Sequence, residues 1–154
     1  MTRTPESHKD QKQMRKQDDP SRSCETTFVV PFSDLDPMKV MWHGNYFKYF
    51  DITRDNLFRK LGLDLYTISD ETRYIFPIIR SSIKHVYPLR FRDEFVCKAV
   101  IKEINYKITI AFEIRLTESN RMSAKGKSEQ AAIKIQEMET MLRIPDEIRQ
   151  SLGF

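Results

Sequence analysis

The chain has 154 residues, of which 40% are hydrophobic and 31% charged, with a formal net charge of +4. A chain of that length forms one globular domain with a core that needs neither metal nor disulfide staples, and its two cysteines, Cys24 and Cys97, show no C-x-x-C spacing. No run approaches the ~18 apolar residues of a membrane helix, no apolar centre of a secretory signal opens the chain, and the basic residues are interspersed with acidic ones; the expectation is a reduced, cytoplasmic protein with no membrane span and no nucleic-acid partner.

Residues 1–22 carry Pro5, Glu6, Lys9, Lys12, Arg15, Lys16, Asp18, Asp19 and Pro20 and almost nothing that a core would bury. They predict a disordered tail ahead of a single domain at 23–154. A strand follows at Thr26–Val30, dense in β-branched and aromatic residues, and then a loop from Pro31 to Val40 with Ser33, Asp34, Asp36 and Pro37.

Between Asn45 and Leu61, Tyr46, Phe50, Leu57 and Leu61 recur at helical spacing, while Phe47, Tyr49 and Phe58 widen the apolar surface. Such a helix must be wrapped on several sides. Asn45 is its expected N-cap, and Gly62 sits where a helix stops in the left-handed conformation.

The second half predicts strands at Tyr74–Tyr87, Glu94–Ile104, Lys107–Leu116 and Arg121 to about Glu137. Ile108, Ile110, Phe112, Ile114 and Leu116 alternate with Lys107, Thr109, Glu113 and Arg115, so one sheet face is wet. Pro145, Asp146 and Glu147 before Gly153 predict a short C-terminal helix. Strands this close in sequence leave no room for crossover helices, which makes the fold α+β: a curved antiparallel sheet wrapped around one long helix.

Glycine occurs only at positions 44, 62, 126 and 153. Dinucleotide, Walker and G-x-S-x-G signatures are therefore absent. His8, His43 and His85 share no ligand spacing, so no metal site is expected. What remains is Phe32–Asn45, reading F-S-D-L-D-P-M-K-V-M-W-H-G-N, directly before the apolar helix. The unpaired N–H groups of a first helical turn favour a developing oxyanion, and one such donor is worth about 2.7–4 kcal/mol to a transition state. A carboxylate beside it can attack a carbonyl or activate water. Read alone, Asp36 before Pro37 would be a turn residue bonding the backbone two positions on.

This segment resembles the signature of hotdog-fold thioesterases of the 4-hydroxybenzoyl-CoA and YbgC-like type. The likeness spans the D-x-D-P loop, the W-H-G-N-Y start of the helix, Y-P-L-R-F-R-D-E at Tyr87–Glu94 and the strand order, over about residues 25–150. It implies hydrolysis of an acyl-CoA or acyl-carrier-protein thioester to a carboxylic acid and a free thiol. It makes Asp36 the catalytic carboxylate, as nucleophile or as base toward water. The His43 N–H would polarise the thioester carbonyl, the His43 imidazole would steady the attacking group, and Gly44 would let the backbone approach the substrate.

Trp42, Asn45, Tyr46, Arg90 and Lys107 are the expected substrate-binding residues, with Asn45 and Tyr46 mainly shaping the helix start. No cofactor is implied beyond the CoA or phosphopantetheine of the substrate. The family's site lies between subunits, which implies a homodimer or homotetramer. Two departures stand out. Met38 and Lys39 occupy a stretch where the family often has glycine, and Asn105 and Tyr106 replace arginines that precede Lys107 in one CoA-binding branch; Arg90 and Arg92 are loop cations able to compensate. Asp34 is assigned to tying the loop, and His85 to sheet packing. A hotdog (de)hydratase and a non-catalytic acyl-thioester binding module are the alternatives.

Overall fold

The computed structural model describes residues 18–154. Of the expected N-terminal tail, residues 1–17 lie outside the described residues. From Asp18 onward the chain is placed: the Asp18 carboxylate receives Lys102 at 2.7 Å and Lys98 at 3.3 Å, and a 3₁₀ turn at Pro20–Arg22 leads into the first strand.

Strand β1 (Ser23–Val29) is followed by the loop and by helix α1 (Tyr46–Lys60). A short helix α2 (Ile68–Thr72) and strand β2 (Tyr74–Ile75) come next. The long strands are β3 (Ile78–His85), β4 (Glu94–Ile104), β5 (Ile108–Leu116) and β6 (Met122–Gln130). Two brief strands, β7 (Ile133–Lys134) and β8 (Glu139–Thr140), precede helix α3 (Asp146–Ser151). Five strands form one antiparallel sheet in the order β1-β4-β5-β6-β3, and β2-β7-β8 form a small second sheet. The result is the hotdog arrangement of a sheet around one main helix.

The period-2 pattern decides which face meets the helix. Phe95, Cys97, Ala99 and Ile101 on β4 and Ile108, Ile110, Phe112 and Ile114 on β5 are all buried, whereas Lys98 pairs across to Glu113 and Glu113 to Lys125 on the outer face. Helix α1 seats its rings on the inner face. Phe50 stacks on Phe112 with centroids 4.4 Å apart, and Tyr49 packs edge-on against Phe28 and Phe95. Each such ring contributes about 1.5–3 kcal/mol on burial. A Cβ on Gly126 would lie 2.3 Å from the Phe50 ring, so this strand glycine exists to admit that ring. On the buried side of α1, Arg54 pairs with Asp51 and donates to the Ser128 hydroxyl at 3.0 Å.

Three sequence expectations need correction. The strand foreseen at Tyr74–Tyr87 is cut at Pro77, which cannot donate to a ladder; Tyr74–Ile75 pairs with β7 while Ile78–His85 pairs with β6. The strand foreseen from Arg121 ends at Gln130, and the chain changes sheets through Ala131 and Ala132. Asn45 occupies the N-cap position of α1, but its side chain does not cap the helix. It has helical dihedrals within a 3₁₀ turn at His43–Asn45 that precedes α1, and its side chain donates instead to the Asp34 carbonyl. Gly62 and Gly153 do take the left-handed conformation, at φ 84° and 79°. Among the described residues no helix is long and apolar enough to cross a membrane.

Candidate active site

The loop between β1 and α1 folds on two carboxylates with opposite surroundings. Asp34 is buried; its carboxylate receives Lys48 Nζ at 2.6 Å and the Tyr49 hydroxyl. Burial, and then the hydrogen bond to the Asp34 carboxylate and its charge, push the Tyr49 phenol well above its ordinary range. The Asp34 carbonyl accepts from the Trp42 N–H at 2.9 Å and the Asn45 side chain at 3.0 Å. Asp34 thus clamps the loop to the first turns of the helix, the structural role expected of it.

Asp36, two residues on, is half-buried and starts a tight reversal. Its N–H donates to the Val40 carbonyl at 2.9 Å, its carbonyl accepts from Lys39, and Leu35 bridges to Met41. One carboxylate oxygen, Oδ1, accepts from the Met38 N–H at 2.8 Å; Oδ2 has no hydrogen-bond partner among the described residues. Lys39 closes the reversal at φ 64°, the conformation that glycine adopts most easily. A lysine therefore performs the turn where glycine was expected.

The chain then enters the 3₁₀ turn. The N–H groups of His43 and Gly44 form no hydrogen bond among the described residues, as the first donors of a helix do not. A Cβ on Gly44 would lie 2.3 Å from the Trp42 indole, which folds back over it and stays 49% exposed.

Asp36, His43 and Tyr46 border one open cleft of about 270 Å³, whose apolar wall includes Met38, Met41 and Val86. His85 borders it as well. Its ring meets Tyr46 edge-on at 4.7 Å and His43 at 6.4 Å. Desolvation, and then the neighbouring His43, hold the His85 imidazole below its ordinary value of 6.5, so it is neutral at physiological pH. The sequence reading missed His85 as a site residue. The available signal was its spacing: Ile83 and His85 lie two apart on one strand and so share the face turned to the helix. The buried Cys97 thiol, pushed up to about 12 mainly by desolvation, is no nucleophile.

The remaining candidates are dispersed. Arg90 lies beside the cleft through a bridge to Val40, and its N–H donates to the Asp93 carboxylate at 2.7 Å. Tyr46 is buried, and its hydroxyl accepts from the Leu89 N–H at 3.4 Å, tying this loop to the helix. Lys107 is ion-paired with Glu129 at 2.9 Å. It precedes Ile108, which pairs with Gln130 and so lies at the Ile78 end of the sheet, whereas His85 ends the other side of β3. Within one chain, that separates Lys107 from the cleft by roughly 20 Å of strand.

The family model described as the thioesterase-like superfamily matches residues 30–152, which includes the loop, helix α1 and every strand but β1. The chain belongs to this superfamily.

Solved structures agree on the fold of this superfamily member. A 1,4-dihydroxy-2-naphthoyl-CoA thioesterase from Synechocystis superposes with a TM-score of 0.76 at 16% identity, over 84% of this chain and 95% of that one. A mutant 4-hydroxybenzoyl-CoA thioesterase complexed with 4-hydroxybenzoyl-CoA gives 0.76 at 17%, over 86% and 99%. A DHNA-CoA thioesterase from Staphylococcus aureus gives 0.74 at 18%, over 84% and 87%. No curated protein matches the chain by sequence.

Proposed function

We propose that this protein is a thioester hydrolase that converts an acyl thioester to a carboxylic acid and a free thiol, with Asp36 as the reacting carboxylate. The observation that carries this reading is that Asp36, with one unpartnered oxygen, and His43, whose N–H is unpaired at the start of the helix, line one cleft. Superfamily membership and the acyl-CoA thioesterases among the structural neighbours support it.

The chemistry follows from that arrangement. A thioester carbonyl oxygen directed at the His43 and Gly44 N–H groups gains donors for the negative charge that develops on it. Asp36 Oδ2 then adds to the carbonyl carbon, the C–S bond breaks to release the thiolate, and water hydrolyses the resulting anhydride to regenerate the carboxylate. In the alternative course Asp36 takes a proton from water as the water oxygen adds. The neutral His85 imidazole accepts a hydrogen bond from water in either course. A (de)hydratase would pair its histidine with a carboxylate, and His85 forms no such bond among the described residues.

The working unit is a cytoplasmic homodimer or homotetramer. Strand β3 is an outer strand of the sheet, with Ile78 40% and Ile79 56% exposed, and it leads directly into the cleft at His85. A second copy along this strand covers both. The test is thiol release from a panel of acyl-CoA and acyl-carrier substrates. Asp36→Asn and Asp36→Ala are expected to abolish it with the melting temperature unchanged; full activity in either variant removes Asp36 from the reaction.

A further inference from the structure

Asp36 and His43 reach the cleft from the loop and the 3₁₀ turn between β1 and α1, whereas His85 reaches it from the end of β3. The cleft thus holds a second imidazole, carried by a different element from the carboxylate. Across the sheet His85 pairs with Ala124, which brings no charge to it; Lys84 and Lys125 pair one residue back and by alternation belong to the outer face. The remaining titratable groups on the cleft walls are Tyr46 and Tyr87. The Tyr46 ring meets His85 edge-on while its hydroxyl is engaged with the Leu89 N–H, and Arg121 lies over the Tyr87 ring at 3.7 Å. Among the described residues no carboxylate pairs with His85 and neither of its ring nitrogens is hydrogen-bonded. A carboxylate partner would stabilise the imidazolium; desolvation and the facing His43 instead keep this ring neutral. A neutral, solvent-accessible imidazole with unpartnered nitrogens is a proton acceptor.

The nucleophilic course leaves one task without a residue. Once the Asp36 oxygen is bonded to the acyl carbon its charge is gone, and Asp36 cannot deprotonate the water that must follow. The His43 ring leans on the Trp42 indole with centroids 5.1 Å apart, and its N–H already serves the carbonyl oxygen. We infer that His85 is the general base of the second half-reaction, taking the proton of the water that hydrolyses the acyl–Asp36 anhydride. The inference rests on the hydrolase reading and commits it to the course in which Asp36 is the nucleophile. As the water oxygen bonds to the acyl carbon, one water proton passes to a His85 ring nitrogen. The bond between the acyl carbon and the Asp36 oxygen then breaks, its electron pair returns to the Asp36 carboxylate, and the carboxylic acid leaves. The imidazolium gives its proton to solvent, which restores the neutral ring.

The experiment follows thiol release before the steady state. At about pH 7.5 the wild type is expected to show no burst, whereas His85→Gln releases thiol in a burst equal to the enzyme concentration and then turns over about a hundredfold more slowly. Acidification protonates His85, so the wild type is expected to acquire the same burst as the pH falls, which keeps the test independent of how the variants fold. His43→Gln, which retains its N–H, should acquire the burst at the same pH as the wild type, and added imidazole should restore turnover to His85→Ala. Full turnover by the His85 variants overturns the inference, as does turnover lost without a burst in a variant that still melts cooperatively, or a burst whose pH dependence follows His43. A wild type that releases thiol from no thioester, or a fully active Asp36→Asn, defeats the hydrolase reading and the His85 role with it.

Discussion

Asp34 and Lys48 join the β1–α1 loop to helix α1 by an ion pair of 2.6 Å in which the carboxylate is buried and the ammonium half-exposed. Tyr49 adds a hydroxyl to the same carboxylate from the next position of the helix. The loop that carries Asp36 is therefore positioned by α1 itself, whose rings are anchored on the sheet.

Replacing Asp34 with Ala leaves the Tyr49 hydroxyl and the Lys48 ammonium without their acceptor. Solvent screening of Lys48 moderates the loss, so a destabilisation of about 2–3 kcal/mol is expected in chemical denaturation. Turnover should fall too, because the Asp36 reversal loses its clamp. An unchanged denaturation midpoint would show that the pair carries no stability.

Lys39 stands at φ 64°, where an L side chain costs about 1 kcal/mol relative to glycine. Lys39→Gly is expected to raise stability by up to that amount while preserving kcat on a pantetheine substrate. A drop in melting temperature would contradict the strain assigned to this turn.

The His85 imidazole titrates below its ordinary value of 6.5 because it is desolvated and faces His43. The unfolded chain then binds a proton at this residue that the folded chain does not, so stability falls as pH drops from about 6.5 through the folded value. Thermal melts of the wild type and His85→Gln at pH 7.5 and 5 should diverge, the variant losing less on acidification. Parallel losses would remove His85 from the linkage.

Two glycines separate packing from access. At Gly126 a methyl group meets the Phe50 ring, which is itself stacked on Phe112, and a Ser82 carbonyl at 3.1 Å; Gly126→Ala should cost about 1–3 kcal/mol. At Gly44 the methyl meets the half-exposed Trp42 indole, which is free to swing outward. Gly44→Ala is expected to melt within about 1 kcal/mol of wild type while thiol release drops, since the indole leaves its place beside the helix start. Equal melting temperatures for the two variants would count against this distinction.

Much of the architecture is legible in local patterns. The alternation of Ile108, Ile110, Phe112 and Ile114 with polar residues defines a half-wet strand, and the helical recurrence of Tyr46, Phe50 and Leu57 defines the one long helix, because both periods are written in consecutive residues. The D-x-D-P and W-H-G-N-Y segments were legible as a candidate site for the same reason, being contiguous. Pro77 hid a change of sheet, since a proline ends a ladder without saying where the next strand pairs. Helix α2 escaped because only Ile68 in it is buried, which leaves no period to read.

By itself, then, the sequence determined the class of the fold and the segment proposed to hold the reacting carboxylate, both being properties of neighbouring residues. Only the tertiary structure decided that Asn45 braces Asp34 instead of capping the helix, that His85 shares the cleft with Asp36 and His43, and that Lys107 lies toward the opposite end of the sheet. Those relations depend on strand register and on which loop lies against which helix turn. They arise from contacts between residues distant in sequence, as Tyr46 and His85 or Ile78 and Gln130 are, and no local periodicity encodes such contacts.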